Sequence, residues 1–262
     1  DGRDSPLVRA ARIPVRRWQY GQRALVFPVT HADPHANLST EFHRPGGPLV
    51  LVPLPDIEGR PASSVVWLNR TPRAHALAAM DDGDLAAALT AETMGRFGPL
   101  TVAGPRAEWP IVSQLAARLT AERLALVGEP AHVVPPTGAQ GANLSVADAE
   151  TLTEVLAAAR AAGEDIGSPA VLARYQRRRW PEIAARVAGI DTLNRAVDSA
   201  SPAVIAARSL GIDLMDRIAP LRRLTMRAGL GGTTLAEAAE GVLAPLRRAA
   251  AASARHGFAR KP

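Results

Sequence analysis

The sequence predicts an α/β (α+β) protein in which a mixed, largely antiparallel β-sheet comes first and helices close the chain. Three observations carry this. Four short β-rich segments, "RALVFPVT" (23–30), "NLSTEFH" (37–43), "LVLVPL" (49–54) and "SSVVWLN" (63–69), follow one another between turn residues. A buried apolar run at 123–128 leads through prolines and glycines into an amphipathic stretch at 141–162. From 168 onward every pattern is helical.

Taken in order, residues 1–17 carry no strong pattern and read as the end of a preceding unit. The four β-rich segments are spaced as an antiparallel meander, with Pro45-Gly46-Gly47-Pro48 as a turn inside it. Helices over 72–80 and 82–96 follow, the first with Thr71 as N-cap and Pro72 at its first position. Strands near 99–104 and 108–113 return to the sheet, and "RLALVG" (123–128) is a further, buried strand. The helix over 141–162 sets Ala149, Leu152 and Leu156 on one face and ends at Gly163 as its cap. Ser168-Pro169 and Ser201-Pro202 each open a helix. Pro181 is expected to kink or break the first of these, because an internal proline removes a hydrogen bond and crowds a carbonyl. Pro220 ends the next, and an Ala/Arg-rich tail follows.

The 262 residues suffice for one large domain or two modest ones. At 47% apolar and 21% charged the composition is that of a globular protein. No run reaches the ~18 apolar residues of a membrane span, and no signal-peptide core is visible, so the cytoplasm is the expected location. There is no cysteine, which excludes disulfides, thiolate catalysis and Cys-ligated zinc. The net charge of +6 rests almost wholly on arginine, Lys261 being the only lysine. Arginine favours phosphate and carboxylate partners. Because the arginines are dispersed, aromatics are 4% and no nucleic-acid motif appears, nucleic acid is not an expected partner. The clusters Arg177-Arg178-Arg179 and Arg222-Arg223 fall on predicted helices. They read as solvated faces pairing with acids such as Glu182 and Asp216, or as a weak attraction to an anionic membrane surface.

The most informative stretch is "GEPAHVVPPTGAQGAN" (128–143). A strand, a Gly-rich turn and a helix start form an anion and dipole site, because the first helical amides have no partner within the helix. Gly138 and Gly141 permit close approach of a ligand to the backbone. Pro135 and Pro136 hold the preceding segment extended, and Glu129 can accept hydrogen bonds from hydroxyl groups. An ordinary β–α turn that binds nothing has the same pattern. His132 reads as a backbone-bonding structural residue rather than a base. His31 and His35 are four apart, but Pro34 lies between them and no HExxH pattern occurs, so no metal site is expected.

"GEPAHVVPPTGAQGANLSVADA" (128–149) resembles the second flavin-contacting motif of the class A flavoprotein aromatic hydroxylases, GDxxHxxxPxxGxGxN. "DGRDS" (1–5) resembles that family's DG motif. "YGQRALVFPV", "EFHRPGGPLVLVPLP", "SSVVWLN" and the tail from "RWPEIAARV" to "LTMRAGLG" resemble its ubiquinone-biosynthesis hydroxylase subfamily. The resemblance covers nearly the whole chain, with its blocks in family order. Three departures stand out. The family's GxGxxG fingerprint is absent, and "GLGG" at 229–232 follows a helix rather than a strand. Glu129 replaces the motif's Asp, with Pro130 for a small residue. Arg9 falls one position later than the DG motif's arginine.

The resemblance implies the C-terminal part of an FAD/NAD(P)-binding flavoprotein monooxygenase fold, N-terminally truncated, with the first Rossmann βαβ unit absent. It implies a remnant of the FAD-binding domain at 1–16, a β-sheet substrate domain at 17–118, an FAD-binding strand-turn-helix at 119–164 and a C-terminal helical region at 165–262. It implies FAD as cofactor, NAD(P)H as electron donor, and hydroxylation of an aromatic ring of a quinone precursor with O2. The cofactor would be bound by Asp1, Gly2, Gly128, Glu129, Pro136, Gly138, Gly141, Ala142 and Asn143, with Pro135 and Pro136 toward the substrate. No catalytic acid or base is assignable. A polyprenylated or other aromatic substrate implies peripheral contact with the inner membrane or a quinone-biosynthesis protein complex. The alternatives are a related flavin hydroxylase with a different aromatic substrate and a non-catalytic assembly module.

Overall fold

The computed structural model describes residues 1–219 and 222–223. Pro220, the expected helical tail with its "GLGG", Lys261 and the side chain of Asp216 lie outside the described residues. The chain divides into two compact units, one of residues 1–16, 114–190 and 206 onward, the other of 17–113 and 191–205.

A short helix, α1 (Pro6–Ala10), opens the first unit, with Ser5 Oγ accepting the Val8 amide at 3.3 Å as its N-cap. The second unit is built on β1 (Val15–His31), β2 (Thr40–Arg44), β3 (Gly47–Ile57) and β4 (Arg60–Arg70), in the antiparallel order β2-β3-β4-β1. The β3–β4 hairpin turns on Glu58 and Gly59, both at positive φ. The sheet is therefore not the simple meander expected from spacing. β1 crosses to the far side of β4, in register from Gln22↔Arg70 to Thr30↔Ala62. The reason lies in β1 itself. Leu25, Phe27 and Val29 are buried on one face and Ala24 on the other, so this strand needs neighbours on both sides and cover on both faces.

One face of the sheet, with Leu25, Phe27, Leu49, Leu51, Val65 and Trp67, packs under α2 (Thr71–Ala78) and α3 (Asp82–Glu92) through Leu77, Leu85 and Leu89. Each of these large side chains contributes about 1.5–3 kcal/mol by leaving water. Thr71 does not cap α2 as expected; its hydroxyl donates to the Gly21 carbonyl at 3.0 Å. Asp81 does cap α3, accepting the Asp84 amide at 2.8 Å. α3 stops at Glu92, short of the expected 96, because Met94 and Gly95 turn left-handed. β5 (Leu100–Val102) and β6 (Ala107–Ala116) return to β1 as anticipated.

In the first unit the expected strand at 123–128 forms only a two-residue ladder. β7 (Thr120–Ala121) pairs with β8 (Leu124–Ala125) in a sheet of their own, apart from the large one. β9 (His132–Val133) pairs with Gln114 and Leu115 at the end of β6. α4 (Gln140–Ala161) ends in a Schellman arrangement, Gly163 N–H to Arg160 O at 3.1 Å and Glu164 N–H to Ala159 O at 2.9 Å, with Gly163 left-handed just beyond the cap. Its buried face is Leu144, Asp148, Val155 and Ala159 rather than the expected Ala149, Leu152 and Leu156.

α5 (Pro169–Asp198) continues through Pro181 without a break. Pro181 costs one backbone bond, but the residues beside it are pinned: Trp180 Nε1 donates to Ala116 O at 3.0 Å, Arg179 bonds Asp148, and Ile183 is fully buried. α6 (Pro202–Arg217) follows Ser201-Pro202 as anticipated.

Candidate functional site

The turn at 128–143 is fixed from its inner side. Leu126 is buried, and its carbonyl accepts Tyr175 Oη from α5 at 2.7 Å. Gly128 takes a φ of 72°, and its carbonyl accepts the amides of Ala131 at 2.8 Å and His132 at 3.0 Å. Gln114 Nε2 donates to the Glu129 carbonyl at 3.2 Å, and Ala116 N–H donates to Ala131 O at 2.8 Å. The Glu129 residue is left exposed.

Beyond β9, Pro135 is buried and Pro136 exposed. A 3-10 turn (Thr137–Ala139) closes with Ala139 N–H on Pro136 O at 2.9 Å. Gly138 (φ 76°) and Ala139 (φ 51°) are both left-handed, and α4 starts from this elbow with no side-chain cap. Gly138, Gly141, Ala142 and Asn143 are exposed along it. Aligned on Gly128, His132, Pro136, Gly141 and Asn143, the quoted motif places the first glycine of its GxG pair at position 139, where this chain has alanine. Gly138 is therefore not the motif glycine, although it shares the left-handed turn. A left-handed alanine costs about 1–2 kcal/mol relative to glycine. Ala139→Gly is thus expected to stabilise the protein by about 1 kcal/mol. A denaturation midpoint that falls instead would contradict the strain.

Asp1 and Gly2 come to the same place. A Cβ on Gly2 (φ 67°) would stand 3.4 Å from Glu129 Oε2. Ser5 Oγ donates to Asp1 Oδ2 at 2.9 Å and so ties the chain start to the α1 cap. Arg9 is turned to its own segment, donating to Asp4 O at 3.1 Å.

Under the turn runs a buried polar network that the sequence reading did not identify. Asp148 Oδ2 accepts the Gly128 amide at 3.0 Å and His132 Nε2 at 2.7 Å. Asp148 Oδ1 accepts Arg179 Nε at 3.0 Å and Nη2 at 2.8 Å. Burial alone would raise the Asp148 carboxyl, but the hydrogen bonds from His132, Gly128 and Arg179 outweigh it and hold its pKa below the ordinary range. Arg179 Nη1 continues to Glu182 at 2.5 Å, and Glu182 to Arg186 Nε at 3.3 Å. Arg179 is thus no part of a solvated face, while Arg177 and Arg178 are exposed as read. His132 is buried, but its ring bonds the Asp148 carboxylate and not the backbone as expected. The missed signal was a charge on each helix's apolar stripe: Asp148 four residues after Leu144, and Arg179 midway between Tyr175 and Ile183.

The structure does not use Gly128 as an open cradle, since it is buried and its amide is spent on Asp148. In the other unit, His31 and His35 do not converge on a common point. His31 bonds Asp33 O at 2.8 Å and Ser63 Oγ at 2.9 Å, and His35 bonds Leu54 O at 3.3 Å.

Residues 1–189 match the family described as the FAD binding domain. The ubiquinone hydroxylase UbiL of Rhodospirillum rubrum is 36% identical over 231 residues, covering 88% of this chain and 53% of that protein. The 3-demethoxyubiquinol 3-hydroxylase of Escherichia coli is 30% identical over 231 residues, 88% of this chain and 58% of that protein. The solved structure of p-nitrophenol 4-monooxygenase PnpA from Pseudomonas putida aligns with a TM-score of 0.66 at 19% identity, over 88% of this chain and 58% of that one, a likeness of fold. The chain spans about half the length of the curated relatives it matches, 53% and 58% in these two cases.

Proposed function

Because this chain belongs to the FAD binding domain family, we propose that it forms part of an FAD-dependent monooxygenase of ubiquinone biosynthesis, one that hydroxylates an aromatic ring of a quinone precursor with NAD(P)H and O2. The substrate class comes from the relatives named as ubiquinone hydroxylases. The observation that carries the cofactor reading is the turn at 128–143, exposed at Glu129, Pro136, Gly138 and 141–143, with a helix start that has no side-chain cap on one side and Gly2 against Glu129 on the other. These residues fit a flavin: an exposed carboxylate for hydroxyl groups, small residues where a side chain would crowd, and a helix N-terminus that favours negative charge.

In this reading Glu129 accepts hydrogen bonds from the ribityl chain, and Asp1 and Gly2 approach the cofactor from the opposite side. The segment containing Gly138, Gly141, Ala142 and Asn143 presents its backbone to the pyrimidine edge of the ring. Buried Pro135 stiffens the segment, and exposed Pro136 faces the ring and the substrate. Gly128 contributes by holding the turn on Asp148. Bound FAD supplies the electron transfer and oxygen activation that no side chain provides. The protein's own share is to bind, orient and exclude water, and no acid or base is assigned. We assign cofactor binding to residues 1–16 and 119–164, the substrate wall to 17–118 and the helical remainder to 165–262.

In the full-length enzyme of which this chain forms part, Glu129→Ala is expected to weaken FAD binding by about 1–3 kcal/mol, the range for losing a charged hydrogen-bond partner. Fluorescence titration with FAD measures it, and wild-type affinity in the variant would remove Glu129 from the site. For the reaction, incubation of the full-length enzyme with FAD, NAD(P)H, 18O2 and a polyprenylphenol should add one labelled oxygen atom to the ring, the other leaving as water. Flavin reduction without labelled product would redirect the reading to another aromatic substrate.

A polyprenylated substrate resides in lipid, so we also propose a peripheral, salt-sensitive membrane contact through Arg177, Arg178, Arg222 and Arg223. All four are exposed, and Leu210, Leu214 and Ile218 lie exposed in the same C-terminal region. Arg178 is partly neutralised by Glu154 at 2.6 Å, whereas Glu182 is engaged by Arg179 and Arg186. No helix among the described residues is long and apolar enough to cross a membrane. Each arginine at an anionic surface contributes about 1 kcal/mol. Flotation with anionic vesicles should show binding at low salt that is lost in high salt and in the fourfold Arg→Gln variant. No binding at low salt ends this proposal.

A further inference from the structure

Two consecutive left-handed residues, one of them alanine, set the direction in which α4 starts. Backbone strain of that kind persists where the surroundings over-determine it. Here the cap that ordinarily fixes a helix start is missing. Gln140 spans the elbow, its Nε2 donating to the Gly138 carbonyl at 3.0 Å. The other end of the same amide, Oε1, accepts Arg186 Nη1 at 3.2 Å.

We propose that Glu182 and Arg186 of α5 are positioning residues for the turn: acting through Gln140, they hold the Gly138–Ala139 elbow in the conformation that presents the start of α4. The consequence for FAD rests on the reading above; the mechanical claim does not. The chain of contacts is continuous. Asp148 holds Arg179, Arg179 holds Glu182 at 2.5 Å, Glu182 holds Arg186 at 3.3 Å, and Arg186 holds Gln140. Two carboxylates alternate with two guanidinium groups, so their charges balance. Arg179 and Arg186 are 2% and 8% exposed, so these are not solvent-screened surface pairs. The spacing of Arg179, Glu182 and Arg186 along one helix accounts for their ion pairs. It does not account for the arm of Arg186 that reaches a residue 46 positions earlier, at the elbow. A forked guanidinium can serve both partners; a single ammonium on a lysine lacks that geometry.

The test is amide hydrogen exchange on the flavin-free protein, followed by FAD titration. Arg186→Met should speed exchange at residues 138–143 by about tenfold, as loss of one charge-assisted bond implies. It should weaken FAD binding by a similar factor. Arg186→Lys should keep the pair with Glu182, and with it the wild-type melting temperature, yet still speed exchange at the elbow. Arg195→Gln, which removes an exposed arginine further along the same helix, should change neither. Unchanged exchange at 138–143 in both Arg186 variants overturns the proposal, as does a loss of protection spread evenly over α4 and α5. If exchange responds as expected but the full-length wild-type enzyme of which this chain forms part binds no FAD, the positioning role stands and the flavin reading falls.

Discussion

In the full-length enzyme of which this chain forms part, Gly141→Val should abolish flavin binding, by more than about a hundredfold, while the protein keeps its fold. The two halves of that expectation come from different facts. Gly141 has no positive φ, and a Cβ there would meet only Val134 Cγ2 at 3.9 Å, an ordinary contact. Valine is a better helix residue than glycine, so α4 loses nothing by the change. The fold thus makes no demand for glycine at this position, and any loss of affinity must come from the ligand's side of the backbone. The neighbouring glycines do not allow that separation. Gly128 has a φ of 72°, and a Cβ would stand 3.1 Å from Ser145 Oγ; Gly138 has a φ of 76°. Substitution at either strains the turn itself. Thermal melting and FAD titration of Gly141→Val, measured side by side, decide the matter. Retention of wild-type FAD affinity would mean that the turn does not face the cofactor.

The parts of the fold legible in the sequence are those written in local chemistry. The β-rich segments of β1, β3 and β4, Gly163 beyond α4 and the Ser-Pro starts of α5 and α6 each depend on a few adjacent residues. Strand order was not legible, because the preference of β1 for a place beside β4 is set by burial on both faces rather than by connection length. Pro181 misled for a related reason: the local cost is real, but contacts made by Trp180, Arg179 and Ile183 override it. At the candidate site, the spacing of Gly, Pro and Asn drew attention to this turn but not to Ala139, whose left-handed conformation no composition rule reveals. The supporting residues were hidden because they lie far apart in sequence. Asp148, Arg179, Glu182 and Arg186 read as surface charges until α4 and α5 are packed together.

That packing makes Asp148 the most vulnerable residue of the candidate site. Asp148→Ala should cost about 3–5 kcal/mol, the range for removing one partner of a buried ion pair. Out of a total stability of about 5–15 kcal/mol this is a large share. Asp148 receives the Gly128 amide, His132 Nε2 and two nitrogens of Arg179, so its loss strands donors on three elements at once. A second variant isolates the cause. Asp148→Leu combined with Arg179→Met removes the stranded charge and should recover part of the loss, though His132 and the Gly128 amide remain without their acceptor. The pH dependence follows from the lowered carboxyl pKa. A depressed folded pKa contributes stability that is fully present above the unfolded value of about 3.9 and is lost as pH falls through the folded one. The stability gap between wild type and Asp148→Ala should therefore be widest near neutral pH and narrow below about pH 4. Urea denaturation of both proteins from pH 7 downward measures the gap. A loss under about 1 kcal/mol at neutral pH, or a gap that stays constant into acid, would show that the carboxylate is not the ionised anchor of the turn.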